Sequence, residues 1–371
     1  MTSTAPTTTS PLLGEHRELG ATFTDFAGWQ MPLKYGSELT EHHAVRRTAG
    51  LFDLSHMGEI EVSGPQAGAA LDFALVGELS KIAVGRAKYS LMCNADGGVI
   101  DDLVVYRLGD ERFLVVANAA NAPIVATEFA SRAASFDATV TDHSGDTALV
   151  AVQGPASASI VQSLAAPQHA DTIAALKYYA VTAAEVAGLE VLVARTGYTG
   201  EDGFELYVPA EQAVALWRAL AGKTTAAEGS PAGLACRDTL RLEAGMALYG
   251  HELTSTTNPY EAGLGKVVRL TKDFVGRDAL QSLSEQPAKR NLIGLKGTGR
   301  RAARAGYALH RADDAEPVGM VTSGALSPTL GYPIALAYLD VDLTEPGTAL
   351  TVDVRGKREP FEVTPSPFYR R

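Results

Sequence analysis

Two hydrophobic periods alternate along this chain, and their boundaries predict most of its elements. Glu38 to Arg47 has the spacing of a helix, which Gly50 ends. Runs of period two follow at Glu59–Val62, Lys88–Cys93, Val99–Leu108 and Phe113–Ala117. Asn94-Ala95-Asp96-Gly97-Gly98 joins the second and third runs as a Gly-rich hairpin. Leu71–Leu79 and Pro123–Ala134 read as helices laid on that sheet. Strands recur at Ala148–Gln153, Glu190–Thr196 and Phe204–Val208, with helices at Glu211–Ala221 and Arg237–Ala244. Strands and helices mixed without strict alternation predict α+β rather than a doubly wound sheet.

The pattern changes near Ser284-Glu285-Gln286-Pro287. Beyond it, short strands broken by Gly and Pro stand at Leu292–Leu295, Val318–Thr322, Ile334–Leu339 and Ala349–Val354. Such spacing predicts a C-terminal β-barrel. The expected organisation is a disordered tail over 1–10, an α+β region of two interleaved lobes over 11–284, and a barrel domain over 285–371. A length of 371 residues is more than one core usually carries, in keeping with several domains.

Charge and composition narrow the chemistry. The formal net charge of -11 repels a phosphate backbone, so no nucleic acid is expected as the main ligand. The two cysteines, Cys93 and Cys236, provide no disulfide framework and no zinc cluster. The Thr/Ser/Pro-rich start has neither the apolar run of a secretory signal nor the arginines of a transit peptide. No apolar stretch has the length of a membrane span. A cytoplasmic protein is expected.

Several reaction classes leave no trace. There is no Gly-x-Gly-x-x-Gly after a strand for NAD or a flavin, no phosphate-binding loop, and no Gly-x-Ser-x-Gly elbow. Glu41-His42-His43 is a poor metal site, because adjacent helical residues point about 100° apart and no spaced third ligand accompanies them.

Three segments remain. In Val99–Tyr106, alternation puts Asp101, Leu103 and Val105 on one face and Asp102, Val104 and Tyr106 on the other. One of two adjacent acids in an apolar strand can cap the turn, and the other can line a cavity as a catalytic group. An exposed strand end would also account for both. In Arg195-Thr196-Gly197-Tyr198-Thr199-Gly200-Glu201-Asp202-Gly203-Phe204-Glu205-Leu206-Tyr207, three glycines bracket a loop where backbone bends tightly. Glu205 then shares a strand face with Tyr207. Its carboxylate suits the paired N–H donors of a pterin edge, though a solvated strand face is the plain alternative. In Arg237-Asp238-Thr239-Leu240-Arg241-Leu242-Glu243, two arginines four apart share a helix face. They fit ligand carboxylates or, equally, ion pairs with Asp238 or Glu243.

Together these segments resemble the aminomethyltransferases, the T proteins of the glycine cleavage system. The likeness starts at Asp25-Phe26-Ala27-Gly28-Trp29-Gln30-Met31-Pro32 and Phe52-Asp53-Leu54-Ser55-His56-Met57. It runs through Asn94 to Asp102, Val152-Gln153-Gly154-Pro155 and the two later segments above. It ends at Thr322-Ser323-Gly324-Ala325-Leu326-Ser327-Pro328-Thr329-Leu330-Gly331, so ordered blocks cover nearly the whole chain.

The resemblance implies a three-lobed protein around a folate cavity, with a barrel as the last lobe. It also implies the reaction: a lipoyl carrier, the H protein, brings an aminomethyl group, tetrahydrofolate takes its methylene carbon, and ammonia leaves. Other glycine cleavage components are implied as transient partners. No metal, flavin or NAD is implied. The family's key acid falls on Asp102, and Met57, Tyr89, Tyr106, Tyr179, Tyr198, Glu205 and Arg237 fall where the family lines its folate site. A fixed carboxylate suits this chemistry, because positive charge develops at an iminium-like carbon. Ala235-Cys236 and His251 depart from the common family pattern.

Two relatives define the alternatives. A non-catalytic folate-binding protein, serving iron–sulfur proteins without transfer chemistry, carries a cysteine where this chain has Gly197, and Gln-Glu in place of Glu201-Asp202. A standalone folate-dependent demethylase of a small methylamine or sulfonium compound is the other. One further feature concerns the carrier: seven basic residues and no acid fall between Lys289 and Arg311 (Lys289, Arg290, Lys296, Arg300, Arg301, Arg304 and Arg311), a possible steering surface for an acidic partner or an ordinary solvated loop.

Overall fold

Ser37 starts the first long helix by accepting the Thr40 N–H at 3.4 Å. Glu38 and Glu41 occupy its first turn and Arg46 and Arg47 its last, each on the end that the helix dipole favours. This Glu38–Arg47 helix is the one that the sequence predicts. The protein is described from a computed structural model over residues 8–312, 314 and 316–371.

Strand alternation builds a five-stranded sheet in the order Ala87–Cys93, Val99–Gly109, Arg112–Ala117, Gly58–Ser63, Thr139–Asp142. The predicted hairpin is present. The Asn94 side chain accepts the N–H of Asp96 at 3.0 Å and of Gly98 at 2.9 Å, while Gly97 turns at φ +85°.

A six-stranded sheet follows the order Val181–Val186, Leu189–Ala194, Gly203–Pro209, Thr147–Gln153, Gly50–Asp53, Ser230–Pro231. Its apolar face carries Leu51, Val150, Val152, Phe204, Leu206 and Val208, packed with Trp217 of the Ala213–Ala226 helix. Fully burying one such aliphatic or aromatic side chain contributes about 1.5–3 kcal/mol. That face fixes the opposite one, with Glu205 and Tyr207, as the polar side of the Gly203–Pro209 strand.

The barrel is closed in the order Arg290–Gly297, Pro333–Asp340, Pro317–Leu326, Ala308–His310, Ala349–Asp353, Arg358–Thr364. Leu295, Leu309, Val321, Ala337, Leu339, Val352 and Phe361 fill it. The α+β class and the C-terminal barrel are both as the sequence predicts.

Contacts divide the chain into two compact units. One runs through Ala74 and adds Glu78–Ser90 and Leu103–Arg237; the other combines Leu75–Gly77, Leu91–Asp102 and Asp238–Arg371. The unit that carries the barrel therefore starts well before residue 285. The Val99–Gly109 strand contributes its first four residues to one unit and the remainder to the other.

Several local expectations change. Part of the expected tail is built into the fold: Thr8–Thr9 pairs in parallel with Trp29–Gln30, and Ser10 is buried. The rest of the expected tail, residues 1–7, lies outside the described residues. The helix predicted over Leu71–Leu79 is instead Ala67–Ala74. It stops because the Val76 N–H is used by the Leu91 carbonyl and the Asp72 carboxylate takes the N–H groups of Leu79 and Ser80. The short Gly50–Asp53 strand is buried at every position and so shows no alternation to read.

Candidate active site

Alternation puts Glu205 and Tyr207 on one strand face, and three hydroxyls organise them. The Thr196 hydroxyl donates to Glu205 Oε2 at 2.5 Å, and Tyr106 lies 2.9 Å from Thr196 and 3.3 Å from the same carboxylate oxygen. The Tyr207 hydroxyl in turn donates to that of Tyr106 at 3.3 Å. Burial pushes both tyrosine hydroxyls well above the usual phenol range, with the Glu205 charge adding to the shift, so both remain donors. Among the described residues, Glu205 Oε1 receives no hydrogen bond, and Glu205 is only half-buried. One carboxylate oxygen is anchored and the other is left as an acceptor.

The glycine loop before Glu205 is shaped by Gln153. Its side chain donates to the Thr196 carbonyl at 3.0 Å and accepts the Thr199 hydroxyl at 3.0 Å. A Cβ at Gly197 would sit 2.0 Å from Gln153 Oε1, and one at Gly203 would sit 2.2 Å from Nε2. A side chain at either position would have to displace the buried Gln153 amide. Buried Arg46 holds the loop's far side through the Thr199 carbonyl at 2.7 Å and Glu201 at 3.0 Å. Arg195 clamps Asp202 with both ends of its guanidinium, at 2.9 and 2.5 Å.

Arg237 stacks over the Tyr198 ring with its guanidinium carbon 4.8 Å from the centroid. Burial lowers its pKa, and the fields of Tyr198 and Glu205 oppose that shift. His56 is buried, its Nδ1 has no hydrogen-bond partner among the described residues, and burial together with the Arg237 charge pushes its pKa down to about 4. Behind it, Asp53 is held below the usual carboxylate range by hydrogen bonds from His16, Ser10 and the Ser55 N–H, which overcome the cost of burial.

The other predicted contributors are found as follows. Met57 and Tyr89 are half-buried. Tyr179 is half-buried at φ +58°, and its backbone bridges the Arg195 carbonyl at 3.0 Å and the Ala87 N–H at 2.9 Å. The Asp pair divides as strand alternation predicts: Asp101 is fully buried with Leu103 and Val105, and Asp102 is half-buried on the opposite face. An exposed end for both acids is excluded. The fields of both carboxylates raise the pKa of Tyr249, behind its own burial.

Arg237 and Arg241 do not act together. Arg241 is committed to Glu252 at 3.0 Å, Asp238 at 2.7 Å and Ser323 at 2.8 Å. Glu243 accepts from Ser327 and from both the N–H and hydroxyl of Thr329. The two departures from the family pattern are structural. Cys236 is buried with its thiol on the Gly233 carbonyl at 3.4 Å, and His251 Nδ1 meets the Thr322 carbonyl at 3.0 Å.

Thr196, Tyr207, Gln153 and His56 join this cluster; sequence reasoning placed Tyr207 on the face of Glu205 but gave none of the four a role. Tyr207 was within reach, since period two puts it beside Glu205; the others are brought in by pairings of distant segments. The basic run in the barrel is largely neutralised. Arg290 pairs with Glu261, Lys296 with Glu362, Arg301 with Glu359 and Arg311 with Asp342. Among the described residues, no group of three or more His, Cys, Asp or Glu could hold a metal ion, and no helix is long and apolar enough to cross a membrane.

An α+β body bearing an anchored carboxylate, joined to a closed C-terminal barrel, defines a two-module class that family comparison resolves. The GCVT N-terminal domain matches residues 12–272, and the glycine cleavage T-protein C-terminal barrel domain matches residues 290–370. The chain belongs to the glycine cleavage T-protein family. It is 58% identical over 370 residues to an aminomethyltransferase of Cutibacterium acnes, covering 98% of each chain. It is 56% identical over 364 residues to one of Saccharopolyspora erythraea, again covering 98% of each. The crystal structure of glycine cleavage system aminomethyltransferase T from Bartonella henselae superposes with a TM-score of 0.90 at 37% identity, covering 97% of this chain and 98% of that one. The activity class is that of an aminomethyltransferase.

Proposed function

We propose that this enzyme transfers the methylene carbon of an aminomethyl group, carried on the lipoyl arm of an H protein, to tetrahydrofolate, with release of ammonia. The observation that carries this reading is the half-satisfied carboxylate of Glu205. Its Oε2 is held by Thr196 and Tyr106, which leaves Oε1 to accept the paired N–H groups of a pterin edge. Tyr198, backed by Arg237, offers a flat surface for an aromatic ring. Gln153, Arg46 and Arg195 hold the glycine loop rigid, so the acceptor is set before the ligand arrives.

Asp102 is the proposed catalytic acid. A half-buried carboxylate stabilises positive charge as it develops on the transferred carbon, and it orients or accepts a proton from the attacking amine. Met57, Tyr89 and Tyr179 are proposed as further lining. A cytoplasmic location is proposed with the carrier partnership. The test is folate-dependent ammonia release from the aminomethylated carrier, with free dimethylglycine as a competitor. Turnover of the carrier unaffected by dimethylglycine supports the reading, and turnover of dimethylglycine alone would point to a demethylase.

A further inference from the structure

Glu59 is 1% exposed, and among the described residues neither of its carboxyl oxygens has a hydrogen-bond partner. Its backbone is fully used: the N–H goes to the Ser144 hydroxyl at 3.0 Å, and the carbonyl accepts the His143 N–H at 2.8 Å. The carboxyl group is therefore fixed in place without compensation, which is costly for a polar group and far more so for a charge.

Register shows where it is fixed. Glu59 stands opposite Val116, and Val116 stands opposite Val104, so the three share one face of the five-stranded sheet. Tyr106, two residues beyond Val104, is on that face too. The titratable groups whose fields reach Glu59 are Asp142 from the neighbouring edge strand and Glu205 from the Gly203–Pro209 strand. Glu59 also acts on Tyr207. Burial, then these two acids, push the Glu59 carboxyl well above the usual range.

We propose that Glu59 is a positioning residue of the Glu205 site, a carboxylic acid that keeps its proton so that the wall presents a single anion to the ligand. Two carboxylates in unlike surroundings divide the roles. Glu205 is supported by two hydroxyls and serves as the acceptor, whereas Glu59 has no donor and remains neutral. Ionised Glu59 would be an unpaired buried charge in the fields of Asp142 and Glu205, and relief would come by drawing in water or swinging a carboxylate outward. Swinging Glu205 outward breaks its bonds to Thr196 and Tyr106. Ligand binding therefore selects the molecules in which Glu59 is protonated.

This rests on the folate reading above only for its ligand arm. Tetrahydrofolate affinity of the wild type should fall by up to about tenfold per pH unit once Glu59 begins to ionise, with one proton taken up on binding. Calorimetry in buffers of different ionisation enthalpy measures that uptake. Glu59→Gln should abolish the uptake and flatten the slope, while Glu61→Gln on the same strand face, a half-buried partner of the exposed Arg112, should keep both. Identical pH profiles for wild type and Glu59→Gln would overturn the proposal.

A ligand-free arm separates the two readings and covers a variant that fails to fold. Infrared titration of the wild type should show the C=O stretch of a buried protonated acid at neutral pH. In Glu205→Gln that band should disappear at lower pH, because one of the charges favouring the proton is gone. A wild type without the band has an ionised Glu59, and the inference fails whatever folate does.

Discussion

Tyr106 and Glu205 are ninety-nine residues apart in sequence, yet the Tyr106 hydroxyl lies 3.3 Å from Glu205 Oε2, with Thr196 bridging them. That contact turns a strand-face glutamate into an oriented acceptor. Glu205→Gln keeps the shape, replaces one acceptor by a donor and removes the charge. Tetrahydrofolate affinity should fall by about 1.5–3 kcal/mol, the scale of a hydrogen bond to a charged group. Titration calorimetry that returns wild-type affinity would put Glu205 outside the ligand site.

The two adjacent acids should fail in different ways. Asp102→Asn should fold normally and lose about a hundred- to ten-thousand-fold in single-turnover rate. Asp101→Asn, at a fully buried position, should act mainly on stability, lowering the unfolding midpoint while keeping far more activity per folded molecule. Single-turnover rates and thermal melts on both variants decide it. A dead Asp101→Asn beside a fully active Asp102→Asn would reverse the assignment.

Acid should destabilise the protein partly through His56. Its pKa is lowered to about 4 from 6.5 by burial and by the Arg237 charge. The folded state binds that proton less readily than the unfolded state. The contribution is complete above about pH 6.5 and is lost as pH falls towards about 4, roughly 3 kcal/mol at the limit. His56→Gln should remove this part of the slope from denaturant midpoints measured across that window. An unchanged slope would mean that the native protein protonates His56 as readily as the unfolded chain does.

The glycine loop offers a steric test. Gly203→Ala puts a methyl group 2.2 Å from Gln153 Nε2, so the amide must leave the Thr196 carbonyl. The variant should lose about 1–3 kcal/mol of stability and weaken folate binding along with it. Adding Gln153→Ala should recover stability without recovering binding, because Thr196 then lacks its brace. Recovery of both would show that the brace is dispensable.

The barrel's basic residues test carrier docking. Of the arginine pair, Arg301 meets Glu359 at 3.2 Å and Arg300 is exposed. Reversing both to Glu should raise the carrier Michaelis constant at low salt and flatten its salt dependence. An unchanged constant would assign these charges to the fold alone.

Whatever repeats within a short stretch of chain was legible before folding. Period two put Asp101 and Asp102 on opposite faces and Glu205 beside Tyr207. Helical spacing ended by Gly50 marked the first long helix, Asn94 to Gly98 the hairpin, and the Gly/Pro spacing the barrel. These features depend on residues a few positions apart, so one stretch of chain contains the whole cause. Tertiary structure decided what each face meets. Arg237 and Arg241 share a helical spacing, but one stacks on Tyr198 and the other is spent on Glu252 and Ser323. Glu59 reads as an ordinary polar strand position until register sets it, buried, across from Val116. Gly197 and Gly203 reveal their purpose only against Gln153, some forty to fifty residues away. Alternation gives the direction of a side chain, whereas its charge state and its partner depend on desolvation and on segments that only the folded chain brings together.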